Sequence, residues 1–91
     1  MESQSYLIEF YGEECPHCEA MKPIVEQIER ELETKIEKLE VWHNPENQEL
    51  MMKLDVEHCD GVPLFYNKKS KKTVCGEADH DELLAWATAE Q

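Results

Sequence analysis

The period of the apolar positions changes several times along the chain, and each change marks an element. Tyr6-Leu7-Ile8-Glu9-Phe10-Tyr11 is a short apolar and aromatic run stopped by Gly12. That is the pattern of a buried central strand, with a single acid, Glu9, set inside it. From about Cys15 to Glu33 the period becomes helical. Met21, Ile24, Val25, Ile28 and Leu32 form one stripe, and Glu26, Glu29, Arg30 and Glu33 the opposite face. Pro23 falls within the stripe, where a missing backbone donor predicts a kink. Ile36 to Trp42, with Leu39 and Val41 in partial alternation, reads as a second strand. Asn44-Pro45 reads as a helix start, Asn capping and Pro at the first helical position. That helix runs to about Leu54 and is expected to bury Leu50, Met51 and Leu54. Gly61-Val62-Pro63 leads into a short strand, Leu64-Phe65-Tyr66. After a lysine-rich turn comes a strand, Lys72-Thr73-Val74-Cys75, ended by Gly76. Asp79 with Glu82 three residues on is a capping-box start for a last helix, with Leu83, Leu84 and Ala87 facing inward.

The element order is β-α-β-α-β-β-α. Strands alternating with helices imply parallel pairing, and the last two strands imply an antiparallel hairpin. The expected fold is α/β: a central four-stranded mixed sheet with helices on both faces. A chain of 91 residues corresponds to one domain, 1–91, with a core that leaves little surplus stability.

Charge narrows the range of partners. The formal net charge is −12, which argues against binding nucleic acid or an anionic membrane by general attraction. Lys68, Lys69, Lys71 and Lys72 hold four of the nine basic residues and read as a solvated hairpin loop. A partner with a basic face would be steered to the acidic remainder, less so in high salt. No apolar run approaches the roughly 18 residues of a membrane span. Met1-Glu2-Ser3-Gln4-Ser5 lacks the basic start and apolar stretch of a secretion signal. The expected location is therefore the cytoplasm or an organelle stroma.

The cysteines carry the chemistry. There are four: Cys15, Cys18, Cys59 and Cys75. Cys15-Pro16-His17-Cys18 follows a strand and opens a helix. A thiol there faces the positive end of the helix dipole and unpaired N–H groups, which stabilise the nucleophilic thiolate. The spacing brings the second sulfur within reach of a disulfide. Cys15 is expected as the exposed attacker and Cys18 as the buried resolving thiol. Pro16 favours the first helical turn, and His17 can bring positive charge near Cys15. Glu13, Glu14 and Glu19 act in the opposite sense, so an intermediate potential is expected within the range of about −270 to −120 mV for such sites. Cys59 and Cys75 read as two further thiols, each a small core residue, with a regulatory thiol as the other option. A zinc site would need a second close pair, which is missing, so no metal is expected. His43, His58 and His80 show no ligand spacing and read as surface or capping residues. Trp42 and Trp86 read as core or partly buried anchors.

Taken together, these motifs resemble the thioredoxin family. Cys15-Pro16-His17-Cys18 after Glu9-Phe10-Tyr11-Gly12 is similar to the family's active site. Its central dipeptide is that of bacterial periplasmic disulfide oxidants. Pro23 matches the proline of the family's active-site helix, and Asn44-Pro45 and Lys38-Leu39 also align. Gly61-Val62-Pro63 matches the loop bearing the family's cis-proline, and Gly76 the glycine that borders its substrate groove. The likeness covers about residues 6 to 88. It implies a cis Val62-Pro63 bond, with the Val62 backbone offered to an extended substrate segment. It also implies that Glu9 is the general base for Cys18, with a raised pKa, and that Lys38 lies near it. The alternative for Glu9 is an acid tolerated at a strand edge. Three departures stand out. The family's extra first strand and helix are missing, which leaves a glutaredoxin-sized form. Glu14 replaces an aromatic residue. Pro-His replaces Gly-Pro.

The expected function is thiol–disulfide oxidoreduction on protein disulfides and dithiols, without metal or organic cofactor, by a monomer. Its electrons would pass to or from a reductase, glutathione or a partner oxidase. Two alternatives stand beside it: a glutaredoxin-like enzyme using glutathione, and a redox-controlled or metal-binding docking module.

Overall fold

The computed structural model describes residues 6–55, 58–59 and 61–89. The N-terminal pentapeptide read above for a secretion signal lies outside them. The described elements are β1 (Leu7–Tyr11), α1 (Pro16–Leu32), β2 (Glu37–Glu40), α2 (Pro45–Leu54), β3 (Leu64–Asn67), β4 (Thr73–Cys75) and α3 (His80–Thr88). They form one mixed sheet of order β2-β1-β3-β4. β1 pairs parallel to β2 and antiparallel to β3, and β3 pairs antiparallel to β4. This is the expected α/β architecture.

The alternation along β1 divides the core. Leu7 joins Met21, Val25, Ile28, Phe65, Leu83 and Trp86 under α1 and α3. Ile8 and Phe10 join Val41, Met51 and Leu64 on the other face, which α2 covers. Phe65 and Trp86 meet edge to face, with ring centroids 5.4 Å apart. A strand's two-residue period therefore puts Glu9 on the Leu7 side, beneath α1. It is paired with Lys38 on β2 and Phe65 on β3, so Glu9 stands in a central strand and the strand-edge alternative is removed.

α1 holds Pro23 within its span, with Cys15 and Glu33 as its caps. Several local expectations change. The second strand stops at Glu40, and Trp42 lies outside it, 49% exposed. Asn44 does not cap α2 with its side chain; its Nδ2 instead donates to Glu40 Oε1 at 2.9 Å. Leu50 is 38% exposed rather than buried, and Met51 carries the inward contact of α2. At α3 the capping box between Asp79 and Glu82 is present as expected.

The largest correction concerns the two outer cysteines. Cys59 and Cys75 are joined in a disulfide, not two separate core thiols. The β3–β4 hairpin brings Cys75 beside Leu64, and Leu64 lies just after the loop that carries Cys59. Sixteen residues of separation conceal this proximity in the sequence.

Candidate active site

The site begins where β1 ends. The chain turns through Gly12, with Cys15 N–H donating to Gly12 O at 3.2 Å. An ideal Cβ on Gly12 would overlap the Trp42 ring, so only glycine lets that ring lie against the turn. Cys15 is the N-cap of α1, and its Sγ accepts the Cys18 N–H at 3.1 Å. Ser, Thr, Asp or Asn usually fill this role; here a sulfur does, and Pro16 follows in the first turn where no N–H is needed.

Cys15 and Cys18 are both free thiols. Cys15 is only 3% exposed and Cys18 4%, which corrects the expectation of an exposed attacker. The cause is twofold. The sulfur turns inward to cap the helix, and the loop before β3 covers it, with Val62 O 3.8 Å from Cys15 Sγ. The Val62-Pro63 bond in that loop is cis. Gly76 N–H donates to Pro63 O at 2.8 Å, and Gly76 has φ +82°, a conformation that only glycine adopts without strain. Val62, Pro63 and Gly76 thus meet beside Cys15, with Gly61 just before them.

His17 does not engage Cys15. Its Nδ1 stands 2.6 Å from Glu77 Oε2, so the positive charge it can carry is already matched by an acid. No motif in the sequence pointed to Glu77; only the turn after β4 brings it there.

Beside Cys18 lies a cleft of about 470 Å³. Glu9, Gly12, Cys18, Lys22, Glu26 and Lys38 line it. Burial pushes the Glu9 carboxyl up to about 7, although Lys38 pulls the other way. Burial is also the main reason that the Cys18 thiol is pushed up to about 12; its side-chain hydrogen bond with Cys15 adds to this and a Gly12 backbone bond opposes it. Lys38 Nζ is shared between Glu29 Oε2 at 2.8 Å and Ile36 O at 3.1 Å.

A second buried acid, Glu40, was not anticipated. It accepts N–H bonds from Glu13, Trp42 and His43 and from the Asn44 amide at 2.9–3.1 Å. His43 Nδ1 approaches it at 3.2 Å. Burial alone would raise its pKa, but these donors, His43 N–H foremost, bring it down to about 2. The bond to Glu40 in turn raises the His43 pKa. Glu13, Glu40 and His43 bring ligand atoms within 4.8 Å of one another. Four N–H groups already occupy the Glu40 oxygens, however, and suit an anion rather than a shared cation.

The fold and the paired thiols at a helix start define a thioredoxin-fold thiol–disulfide oxidoreductase. The thioredoxin family model matches residues 1–89, and the chain belongs to that family. It is 32% identical over 80 residues to a thioredoxin of Rickettsia bellii, covering 88% of this chain and 75% of that one. A thioredoxin of Rickettsia felis is 29% identical over the same length and the same shares. In structure the chain resembles the glutaredoxin grx-1 of Archaeoglobus fulgidus, with TM-score 0.57 and 18% identity over 96% of this chain and 90% of that one; this likeness concerns the fold. Among the described residues no helix is long and apolar enough to cross a membrane.

Proposed function

We propose that the chain exchanges a dithiol for a disulfide on protein substrates, with Cys15 as nucleophile and Cys18 as resolving thiol. The observation that carries this reading is the placement of the Cys15 sulfur. It receives the Cys18 N–H at the start of α1 and lies under the Val62 carbonyl, where an extended substrate backbone can align.

The steps follow from the site. The Cys15 thiolate attacks one sulfur of a substrate disulfide; a Cys15–substrate bond forms, and the other substrate sulfur leaves as a thiolate. Until then the Cys15 sulfur helps hold the Cys18 thiol protonated. Once Cys15 is bonded to substrate, its sulfur carries no negative charge and accepts less strongly, so the Cys18 pKa falls. Cys18 is thereby released for attack only after substrate is bound. Glu9, with a pKa near 7, takes the Cys18 proton in the shared cleft, and Lys38 keeps the Glu9 carboxylate accessible near neutrality. Cys18 then attacks Cys15 Sγ, the second substrate thiolate leaves, and two electrons have passed to the substrate. A redox partner, such as a reductase, restores the dithiol. Pro16 starts the helix, His17 docks onto Glu77, and Val62, Pro63 and Gly76 form the substrate ledge, with Gly61 leading into it. The compartment in keeping with this role is the cytoplasm or an organelle stroma, where reductants are at hand.

The acids around Cys15 and Cys18 favour protein substrates over the glutathione anion at that pair: Glu13, Glu14 and Glu19 are more than half exposed.

The test uses insulin as the disulfide substrate. Cys15→Ser should reduce turnover to background. Cys18→Ser should accumulate a mixed disulfide that peptide mass mapping places on Cys15. Turnover that survives Cys15→Ser would remove the assignment.

A further inference from the structure

The mechanism makes no use of the Cys59–Cys75 disulfide, yet that bond joins the two segments that frame the active-site sulfurs. Cys59 lies just before the loop whose Val62 carbonyl covers Cys15. Cys75 ends β4 and leads directly into Gly76, which donates to Pro63 O at 2.8 Å, and Glu77, which holds His17 at 2.6 Å. One covalent bond therefore ties the substrate ledge to the turn that meets the Cys-Pro-His-Cys motif.

Two observations set this bond apart from a core staple. Cys75 is exposed and Cys59 half-buried, so a thiol in solution has access from the Cys75 side. The hydrogen bonds around Cys59 are local: Cys59 N–H to Asp55 Oδ1 at 2.7 Å and His58 N–H to Asp55 O at 3.1 Å. They order the segment within itself, Cys59 and Val62 pack against the Phe10–Leu64 cluster, and the disulfide adds a covalent tie to β4.

We propose that Cys59–Cys75 is a second redox site, opened by low-molecular-weight monothiols such as glutathione, and that its state sets how firmly the Val62–Gly76 ledge holds a protein substrate. The second half rests on the reading of that ledge given under Proposed function. In the exchange, a monothiol's thiolate attacks Cys75 Sγ. A mixed disulfide forms there, the Cys59–Cys75 bond breaks, and Cys59 leaves as a thiolate that takes a proton from water. A second monothiol attacks the outer sulfur of the mixed disulfide and displaces Cys75. The protein gains two electrons and two protons, and two monothiols become one disulfide. The freed sulfurs then separate to van der Waals distance, and the ledge loses its covalent tie to β4 while the Gly76–Pro63 hydrogen bond remains.

The first arm of the test uses protein carrying Cys15→Ser and Cys18→Ser, in which Cys59 and Cys75 are the remaining cysteines. It is equilibrated in glutathione buffers of graded ratio and labelled with maleimide. Two labels per chain should appear in reducing buffers and vanish on return to oxidising ones, with far-UV circular dichroism unchanged. A pair that labels only after denaturant is added is a structural staple and overturns the proposal.

The second arm introduces Cys59→Ala and Cys75→Ala together into the otherwise native chain. KM for insulin should rise about fivefold, at the lower end of typical couplings between sites, with kcat maintained. An unchanged KM overturns control of the ledge. Should that variant not fold, hydrogen exchange at the Val62 and Leu64 amides of the Cys15→Ser, Cys18→Ser protein replaces it. Exchange should quicken on reduction, and equal rates in both states overturn the same claim. Turnover that survives Cys15→Ser bears on the first reading alone, because the label count needs no active-site thiol.

Discussion

Two glutamates, Glu9 and Glu40, are buried on adjacent strands and titrate at opposite ends of the acid range. Glu9 is 5% exposed and Glu40 8%, yet their pKa values lie near 7 and near 2. What surrounds each carboxyl accounts for the difference. Glu40 ends β2 where the chain turns, and the turn points backbone N–H groups at it. Glu9 sits mid-strand, where the backbone N–H groups serve the sheet, and a cleft shared with Cys18 is its outlet. Little surface exposure thus accompanies both an anion that braces a loop and a carboxyl that keeps its proton to near neutral pH. Glu9 has the greater desolvation and Glu40 the donors, and together these set the two apart.

The sharpest way to break this contrast is Glu9→Gln. If Glu9 moves the Cys18 proton, insulin turnover should fall about a hundredfold, and the inflection near pH 7 should leave the kcat profile. Turnover and profile like the native protein's would show that Glu9 is buried without a role in proton transfer.

The same variant tests the thermodynamics. The Glu9 pKa is raised from its ordinary 4.5 to about 7. Between those values the folded chain keeps a proton that the unfolded chain has lost. Its stabilising contribution is therefore complete below pH 4.5 and lost as pH rises through 7. Above pH 7 the native chain should be less stable than Glu9→Gln by on the order of 3 kcal/mol. Urea unfolding at pH 5 and pH 8 measures this, and a difference independent of pH would contradict it.

Glu40→Gln should behave in the reverse manner and more mildly. The Glu40 pKa is lowered to about 2, so its contribution is present above pH 4.5 and lost as pH falls through 2. The variant should melt at a lower temperature than the native chain at pH 7, because an amide places N–H groups against N–H groups. The two melting temperatures should converge in acid. A gap that persists at pH 2 would point to lost packing rather than lost charge.

Lys38→Met is the smallest perturbation. Lys38 lowers the Glu9 pKa, so its removal should move the Glu9 midpoint upward from about 7, as read by carbon NMR of the labelled carboxyl. A midpoint that stays in place would assign the Lys38 ammonium to Glu29 alone.

Much of the architecture was legible in local pattern. The aromatic run of β1, the long stripe of α1 and the Asp79–Glu82 box each specify an element within a residue or two, because propensity and periodicity are local properties. The sulfur pair was legible for the same reason, since spacing and helix start lie within four residues. The alternation of β1 also marked Glu9 as an acid among apolar neighbours. What stayed hidden depends on distant segments meeting. Asn44 turned from its helix to Glu40, and Trp42 left its strand to lie on Gly12. Glu77 reached His17 across 60 residues of chain.

The amino-acid sequence by itself determined the order of elements, the two-layer burial around one sheet and the placing of a Cys-x-x-Cys pair at a helix start. Each of these follows from side chains within one or two turns of each other. Only the tertiary structure decided that Cys15 is covered by Val62, that Glu9 and Cys18 share a cleft, and that Cys59 and Cys75 are bonded. Those relations are set by sheet register and hairpin geometry, which bring together residues that no local pattern connects.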